Sequence, residues 1–270
     1  MNIPKSILFV RSGGGMPGLD IHCGIWRAME AKGISPTHLS GTSAGAIICA
    51  MQAAGHSARF VSETIACLKD SDVRSERAFW KLRALWLDSY LDSRPIEDLL
   101  NKLCPTPTAE FAGKVLLWST NCRTGRDVDL MNPHYNTSMP KAALASMSIS
   151  GVFPPVNIGD DEYCDGGVRR NVPLLGSWRS FDEVYILIAS PPPQDYPKRT
   201  GIITRLIQNI HYLMQDQIED VLETCISDSR VTVIWPTVES RGGALHFDHE
   251  LMHAAYAQTI VQLSKKEPTP

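Results

Sequence analysis

Apolar runs of strand length alternate with stretches of helical period along the whole chain, and this alternation constrains the fold more than any other feature. Ile7, Leu8, Phe9 and Val10 read as a buried strand, since a short unbroken apolar run suits a strand covered on both faces. Residues 19–32 then place Ile21, Ile25 and Met29 on one helical face, with Gly33 as the stop. A second strand is expected at 38–40 and a small-residue helix at 44–54, ended by Gly55. Residues 115–120 and 127–131 flank Thr124-Gly125 as a hairpin. Residues 183–189 form the clearest buried strand, closed by Pro191-Pro192-Pro193. A long amphipathic helix at 202–222, a strand at 231–235 and a helix at 248–263 complete the chain. This order predicts an α/β layered fold with a mainly parallel sheet. With no internal repeat and no long linker, residues 1–264 are expected to form one domain, with 265–270 a frayed tail.

The charge balance is slightly acidic, at −3, and no Lys/Arg block is present. That argues against a nucleic-acid partner. The apolar run at the start is too short for a signal-peptide core, and no later run approaches a membrane span. The seven cysteines include no C-x-x-C pair, so reduced thiols and a cytoplasmic location are expected, without a disulfide framework or a zinc site.

Gly41-Thr42-Ser43-Ala44-Gly45 matches G-x-S-x-G between a candidate strand and a candidate helix. That spacing suits a strained strand-to-helix turn that projects the serine hydroxyl at the positive end of the helix. A plain glycine-rich turn is the simpler alternative. Gly13-Gly14-Gly15-Met16-Pro17-Gly18 follows the first strand and also satisfies G-x-G-x-x-G. A dinucleotide site needs an acidic residue at the end of the second strand; here Ser40-Gly41-Thr42-Ser43 stands there instead. Bare glycine amides suit an oxyanion hole. A tight strand–helix turn explains one or two of the glycines but not four in six.

The residue that takes the serine proton is open at this level. In α/β-hydrolases the order is Ser, acid, His, with the serine after several strands; Ser43 follows only the second. His211, His246, His249 and His253 qualify by order alone. The last three also suggest a metal, although a polar helix start explains them more simply. Asp165 precedes Gly166 and Gly167, and a carboxylate there can accept a serine proton directly. An ordinary Asp-Gly turn is the competing reading.

Together, the glycine loop, G-T-S-A-G and D-G-G resemble the patatin-like phospholipase family. The stretch from Ala145-Ser146 to Phe153-Pro154-Pro155-Val156, and Asn171-Val172-Pro173 after the aspartate, are similar to its flanking segments, so the resemblance spans about residues 5–260. It implies a three-layer α/β/α fold and a Ser–Asp dyad. Ser43 is then the nucleophile, Asp165 the base, and Gly13, Gly14 and Gly15 the oxyanion loop, with Gly18, Gly41, Gly45, Gly166 and Gly167 as supporting motif positions. No cofactor or metal is implied. The family loop usually carries Arg or Lys where this chain has Pro17, with Arg11 the nearest substitute. The implied partner is a phospholipid, lysophospholipid or other fatty-acyl ester.

An aromatic stretch, Phe79, Trp80, Leu82, Leu85, Trp86, Leu87 and Tyr90, is a candidate for transient contact with a membrane surface; packing against the sheet is the alternative. Three rival functions remain. A thioesterase or acyltransferase would use the same site, a scaffold would carry it disabled, and a nucleotide-binding oxidoreductase would use the glycine loop differently.

Overall fold

The computed structural model describes residues 5–73, 75–76, 89, 91–190, 202–240 and 245–265. Nearly all of the aromatic stretch at 79–90 and the proline run at 191–193 lie outside these residues.

β1 (Ile7–Arg11) is the central strand, pairing in parallel with β2 (His38–Thr42) on one side and β9 (Glu183–Leu187) on the other. β10 (Val231–Ile234) extends the sheet beyond β9, and β5 (Val115–Asn121) extends it beyond β2, both in parallel. β8 (Asp161–Asp165) and β7 (Val156–Ile158) complete the order β10-β9-β1-β2-β5-β8-β7 as an antiparallel hairpin, while β6 (Asp127–Asp129) also pairs with β5. The sheet is therefore mainly parallel with an antiparallel end, which lets a short hairpin finish a sheet that otherwise needs helical crossovers.

Successive residues of a strand face opposite sides, and both sides of this sheet are apolar. Phe9, Leu39, Leu117 and Leu187 join one core with α1 (Gly15–Ala31), α2 (Ala44–Ala53) and α9 (Glu250–Ser264). Leu8, Val10, Val184 and Ile186 join a second core with α8 (Ile202–Cys225) and residues 172–181. Helices thus cover both faces, giving the three α/β/α layers. α3 (Ala58–Cys67), α5 (Arg94–Leu103) and α6 (Met139–Met147) enlarge the first core. The short elements α4 (Asp70–Val73), β3 (Ser75–Glu76) and its antiparallel partner β4 (Leu91–Asp92) lie between α3 and α5 in the chain, and α7 (Gly167–Arg170) follows β8.

α1 begins inside the glycine run, earlier than the apolar period suggests. Pro17 falls in its first turn, where amides have no intrahelical acceptor, so the missing N–H removes no hydrogen bond. Proline is therefore tolerated at a position where the resembled family carries a basic residue. Arg11 does not replace that charge: it is fully buried, its guanidinium beside the rings of Phe9 and Trp26.

Candidate active site

Ser43 stands between β2 and α2 with φ 54° and ψ −123°, a conformation that costs an L-residue about 1–3 kcal/mol. Close packing around the turn holds it there. A Cβ at Gly45 would lie 2.5 Å from the Arg11 carbonyl oxygen, so only glycine lets α2 approach β1 this closely. Gly41, inside β2, pairs with Arg11 and Leu117 on its two sides. Ser43 is thereby set at the N-terminus of α2, where the helix dipole favours developing negative charge.

Asp165 reaches the same place by a different route. Trp118 of β5 pairs with Thr42 and with Asp129, while Ser119 pairs with Val128 and with Asp165. β6 takes one edge of β5 from Trp118 to Thr120, where β2 hands over to β8, so β2 and β8 share the other edge in tandem. β8 runs antiparallel to β5, which directs its last residue, Asp165, at the end of β2. Thr42 Oγ1 also donates to the Arg170 carbonyl at 2.8 Å, tying the two chain ends together.

The Asp165 side chain is almost completely buried. Its Oδ1 accepts the Gly167 N–H at 2.7 Å, whereas its Oδ2 has no hydrogen-bond partner among the described residues. Burial pushes the carboxyl up to about 6, against the opposing pull of the Ser43 hydroxyl and the Gly167 amide. The Ser43 hydroxyl is thus near enough to act on the carboxylate, although no hydrogen bond of good geometry joins it to Oδ2. In enzymes, hydrogen bonds of this kind are often long before substrate binds and tighten in its complex.

The glycine loop borders Ser43. A Cβ on Gly13 would lie 3.3 Å from the Cβ of Ser43. The Gly13 N–H is already engaged, donating to the Asn171 carbonyl and to Asn171 Oδ1, each at 3.1 Å. The Gly14 and Gly15 amides have no acceptor among the described residues. Gly14 is the N-cap of α1 and Gly15 its first residue; Gly18 closes the first turn by donating to the Gly14 carbonyl. A Cβ on Gly14 would lie 2.5 Å from the Ala189 carbonyl oxygen, so the loop sits flush against the end of β9.

A cavity of about 590 Å³, counting its open mouth, adjoins the site. Ser43 and Gly15 line it together with Leu19, Ile47, Leu100, Met147, Phe153 and Phe247, and its wall is almost wholly apolar.

Ser146 bridges the segments that carry Ser43 and Asp165. Its Oγ accepts the Ser43 N–H at 2.9 Å and donates to the Trp118 carbonyl, and its carbonyl accepts the Gly166 N–H at 3.2 Å. Ser146→Ala leaves a buried amide unsatisfied, a cost of about 1–3 kcal/mol. It is expected to lower the melting temperature and reduce turnover while retaining Ser43 reactivity, checked by calorimetry beside steady-state assays.

The histidines have other partners. His249 Nδ1 lies 2.7 Å from Asp20 Oδ1 and its Nε2 lies 3.0 Å from the Leu68 carbonyl oxygen; His246 Nδ1 lies 2.6 Å from Asp70 Oδ2. His211 Nε2 lies 3.3 Å from Gln215 Nε2 on α8, and His253 is exposed. No group of three or more His, Cys, Asp or Glu suited to a metal occurs among the described residues.

Comparison with known proteins gives the same family as the motifs. The family described as patatin-like phospholipase matches residues 9–178, more than half of the 270-residue chain. An uncharacterized NTE family protein of Mycobacterium tuberculosis is 29% identical over 179 residues, covering 63% of this chain and 27% of its own length. The chain thus spans about a quarter of that relative. The uncharacterized protein YqhO of Bacillus subtilis is 27% identical over 214 residues, covering 70% of this chain and 73% of its own. Among solved structures, VipD from Legionella pneumophila superposes with a TM-score of 0.55 at 13% identity, covering 97% of this chain and 67% of that one. The likeness to VipD is one of fold. The match over residues 9–178 carries the family: the chain belongs to the patatin-like phospholipases.

Proposed function

We propose that this chain is a serine lipid acyl hydrolase that cleaves fatty-acyl esters through a Ser43–Asp165 dyad. One observation carries the reading: a strained serine at a helix N-terminus lies beside a buried carboxylate with a free oxygen, and that serine opens onto an apolar cavity. The cavity wall suits an acyl chain, and family membership favours a lipid as its source.

In the proposed reaction Asp165 accepts the Ser43 proton as Ser43 Oγ attacks the ester carbonyl. The oxyanion is met by the unengaged amides of Gly14 and Gly15 and by the positive end of α2. Gly13 serves the loop by its bond to Asn171. Asp165 returns the proton to the leaving alcohol, giving an acyl-enzyme. Water then attacks with the same base, releasing the fatty acid and restoring Ser43. Only the ionised carboxylate is competent, and Asp165 titrates at about 6. The rate kcat/KM is therefore expected to fall about tenfold per pH unit below 6 and to level off above it. A pH–rate profile checks this, and a profile flat from pH 4 to 8 contradicts it.

No helix among the described residues is long and apolar enough to cross a membrane. On this reading the protein is cytoplasmic, in keeping with its seven free cysteines, and makes transient contact with a lipid surface when it meets its substrate. The substrate class is tested with phosphatidylcholine, lysophosphatidylcholine and an acyl thioester, each with and without added alcohol. Free fatty acid from the oxygen esters, unchanged by the alcohol, supports the hydrolase. Acyl ester formed on the alcohol identifies a transferase, and turnover of the thioester alone a thioesterase.

A further inference from the structure

The Gly13 residue is gripped at both ends by side chains that the proposed mechanism leaves without a task. Its N–H donates to Asn171 Oδ1, as described above. Its carbonyl accepts from Ser12 Oγ at 2.8 Å and from Ser190 Oγ at 3.1 Å. The two grips are joined, since Asn171 Nδ2 donates to Ser190 Oγ at 3.5 Å. All three side chains are buried.

Each support is itself anchored from a different part of the fold. The Trp235 indole donates to the Ser190 carbonyl at 3.1 Å, and the Ala189 N–H donates to Ser12 Oγ at 2.9 Å. Gln217 Oε1 accepts the Asn171 N–H at 2.8 Å, and Asn171 Nδ2 also reaches the Met214 carbonyl at 3.4 Å. The hydroxyls at the end of β9 and β1 are therefore placed by backbone and side-chain bonds rather than left to rotate.

Peptide geometry gives this arrangement a consequence. In a trans peptide the C=O and the following N–H point in opposite directions. Two hydroxyls holding the Gly13 carbonyl thus fix the direction of the Gly14 N–H, the amide left without an acceptor among the described residues. Without a Cβ at Gly13 or Gly14, this peptide has little steric resistance to turning over once released. A turned peptide presents the Gly13 carbonyl oxygen where the donor stood, which repels an oxyanion.

We propose that Ser190, oriented by Asn171 and assisted by Ser12, is a positioning residue that keeps the Gly14 N–H aimed at the oxyanion. The inference rests on the hydrolase reading and adds residues that the dyad and the glycine motif do not contain. It also links the base-bearing segment to the oxyanion loop, because Asn171 lies six residues after Asp165.

The test compares wild type with S190A, S190T and the double variant S12A/S190A in hydrolysis of p-nitrophenyl butyrate. Loss of one oxyanion donor costs about 10²–10³-fold in kcat, so weakening its support is expected to cost about tenfold in S190A and about a hundredfold in the double variant. KM is expected to stay within about twofold, since the supports act on the transition state alone. S190T retains the hydroxyl and is expected to recover most of the rate. A second readout needs no activity: crystal structures of wild type and S12A/S190A are expected to differ in the direction of the Gly13–Gly14 peptide. An unchanged kcat in the double variant, or an unchanged peptide direction, overturns the proposal. If wild type fails to turn over the ester, the hydrolase reading has failed, and the peptide direction alone decides whether the hydroxyls orient the loop.

Discussion

Replacing Ser43 by alanine is expected to lower ester turnover by about 10⁴-fold or more while leaving the fold intact. Removing the nucleophile of a covalent mechanism leaves only the catalysis that binding and the oxyanion hole provide. The structural change is small, since alanine keeps the Cβ and loses a single oxygen from a nearly buried position. Alanine also inherits the strain at φ 54°. Ser43→Gly removes both the hydroxyl and the strain, so it is expected to be equally inactive but more stable than Ser43→Ala by about 1 kcal/mol. The pair separates conformational cost from chemistry: calorimetry reads the first and ester hydrolysis the second. Substantial turnover by either variant would remove Ser43 from the mechanism.

Asp165→Asn is expected to inactivate the protein and stabilise it together. Burial raises the carboxyl from its ordinary 3.8 to about 6, so the folded state binds this proton more tightly than the unfolded chain. Ionising the buried group therefore costs stability. That cost is absent below pH 4, grows between pH 4 and 6, and is complete above 6. A shift of about two units corresponds to about 3 kcal/mol. Asparagine has the same shape without the charge, and its Oδ1 can still accept the Gly167 amide. The variant is expected to melt higher than wild type at pH 8 and to converge with it near pH 4. Turnover is expected to fall by about 10³–10⁴-fold, since asparagine cannot accept the serine proton. A variant less stable than wild type at pH 8 would mean that the carboxylate is held by partners not described above.

What the sequence made legible follows from how local each signal is. The strands at 7–10, 183–189 and 231–235 announce themselves because a strand buried on both faces needs mostly apolar residues on both sides of its pleat. The hairpin around Gly125 is carried by a turn residue with φ 66° between two short runs. G-T-S-A-G is readable because the turn demands small residues at fixed offsets. The tandem placement of β2 and β8 on one edge of β5 has no such signature. It depends on two long-range pairings, Thr42 with Trp118 and Ser119 with Asp165, which bring residues far apart in the chain to neighbouring places on one strand edge. Asp165 was therefore indistinguishable from an ordinary Asp-Gly turn until the surrounding motifs were taken together.

The supporting roles proposed for Ser146, Asn171 and Ser190 are hidden in the sequence for a related reason. Serine and asparagine are common in loops, and nothing in their neighbours marks a buried hydroxyl that grips a distant carbonyl. The sequence did contain one weak pointer, as Ser146 and Asn171 both lie in segments that resemble the family. α1 also starts four residues earlier than its apolar period suggests, at Gly15 rather than Leu19. Glycines and a proline suggest a loop, yet in the first helical turn a missing N–H costs nothing, and Gly18 there packs closely on Ala44 and Ala189, while α1 meets α9 farther along. Gly24 shows how closely that pair packs, with a Cβ there falling 2.3 Å from the Met252 carbonyl oxygen.

The most direct test of the central claim is covalent labelling with a fluorophosphonate, which reacts with activated serines. Wild type is expected to gain one adduct, located at Ser43 by mass spectrometry. Ser43→Ala is expected to gain none, and Asp165→Asn is expected to react far more slowly. An unlabelled wild type, or equal labelling of Ser43→Ala, would contradict an activated Ser43–Asp165 dyad.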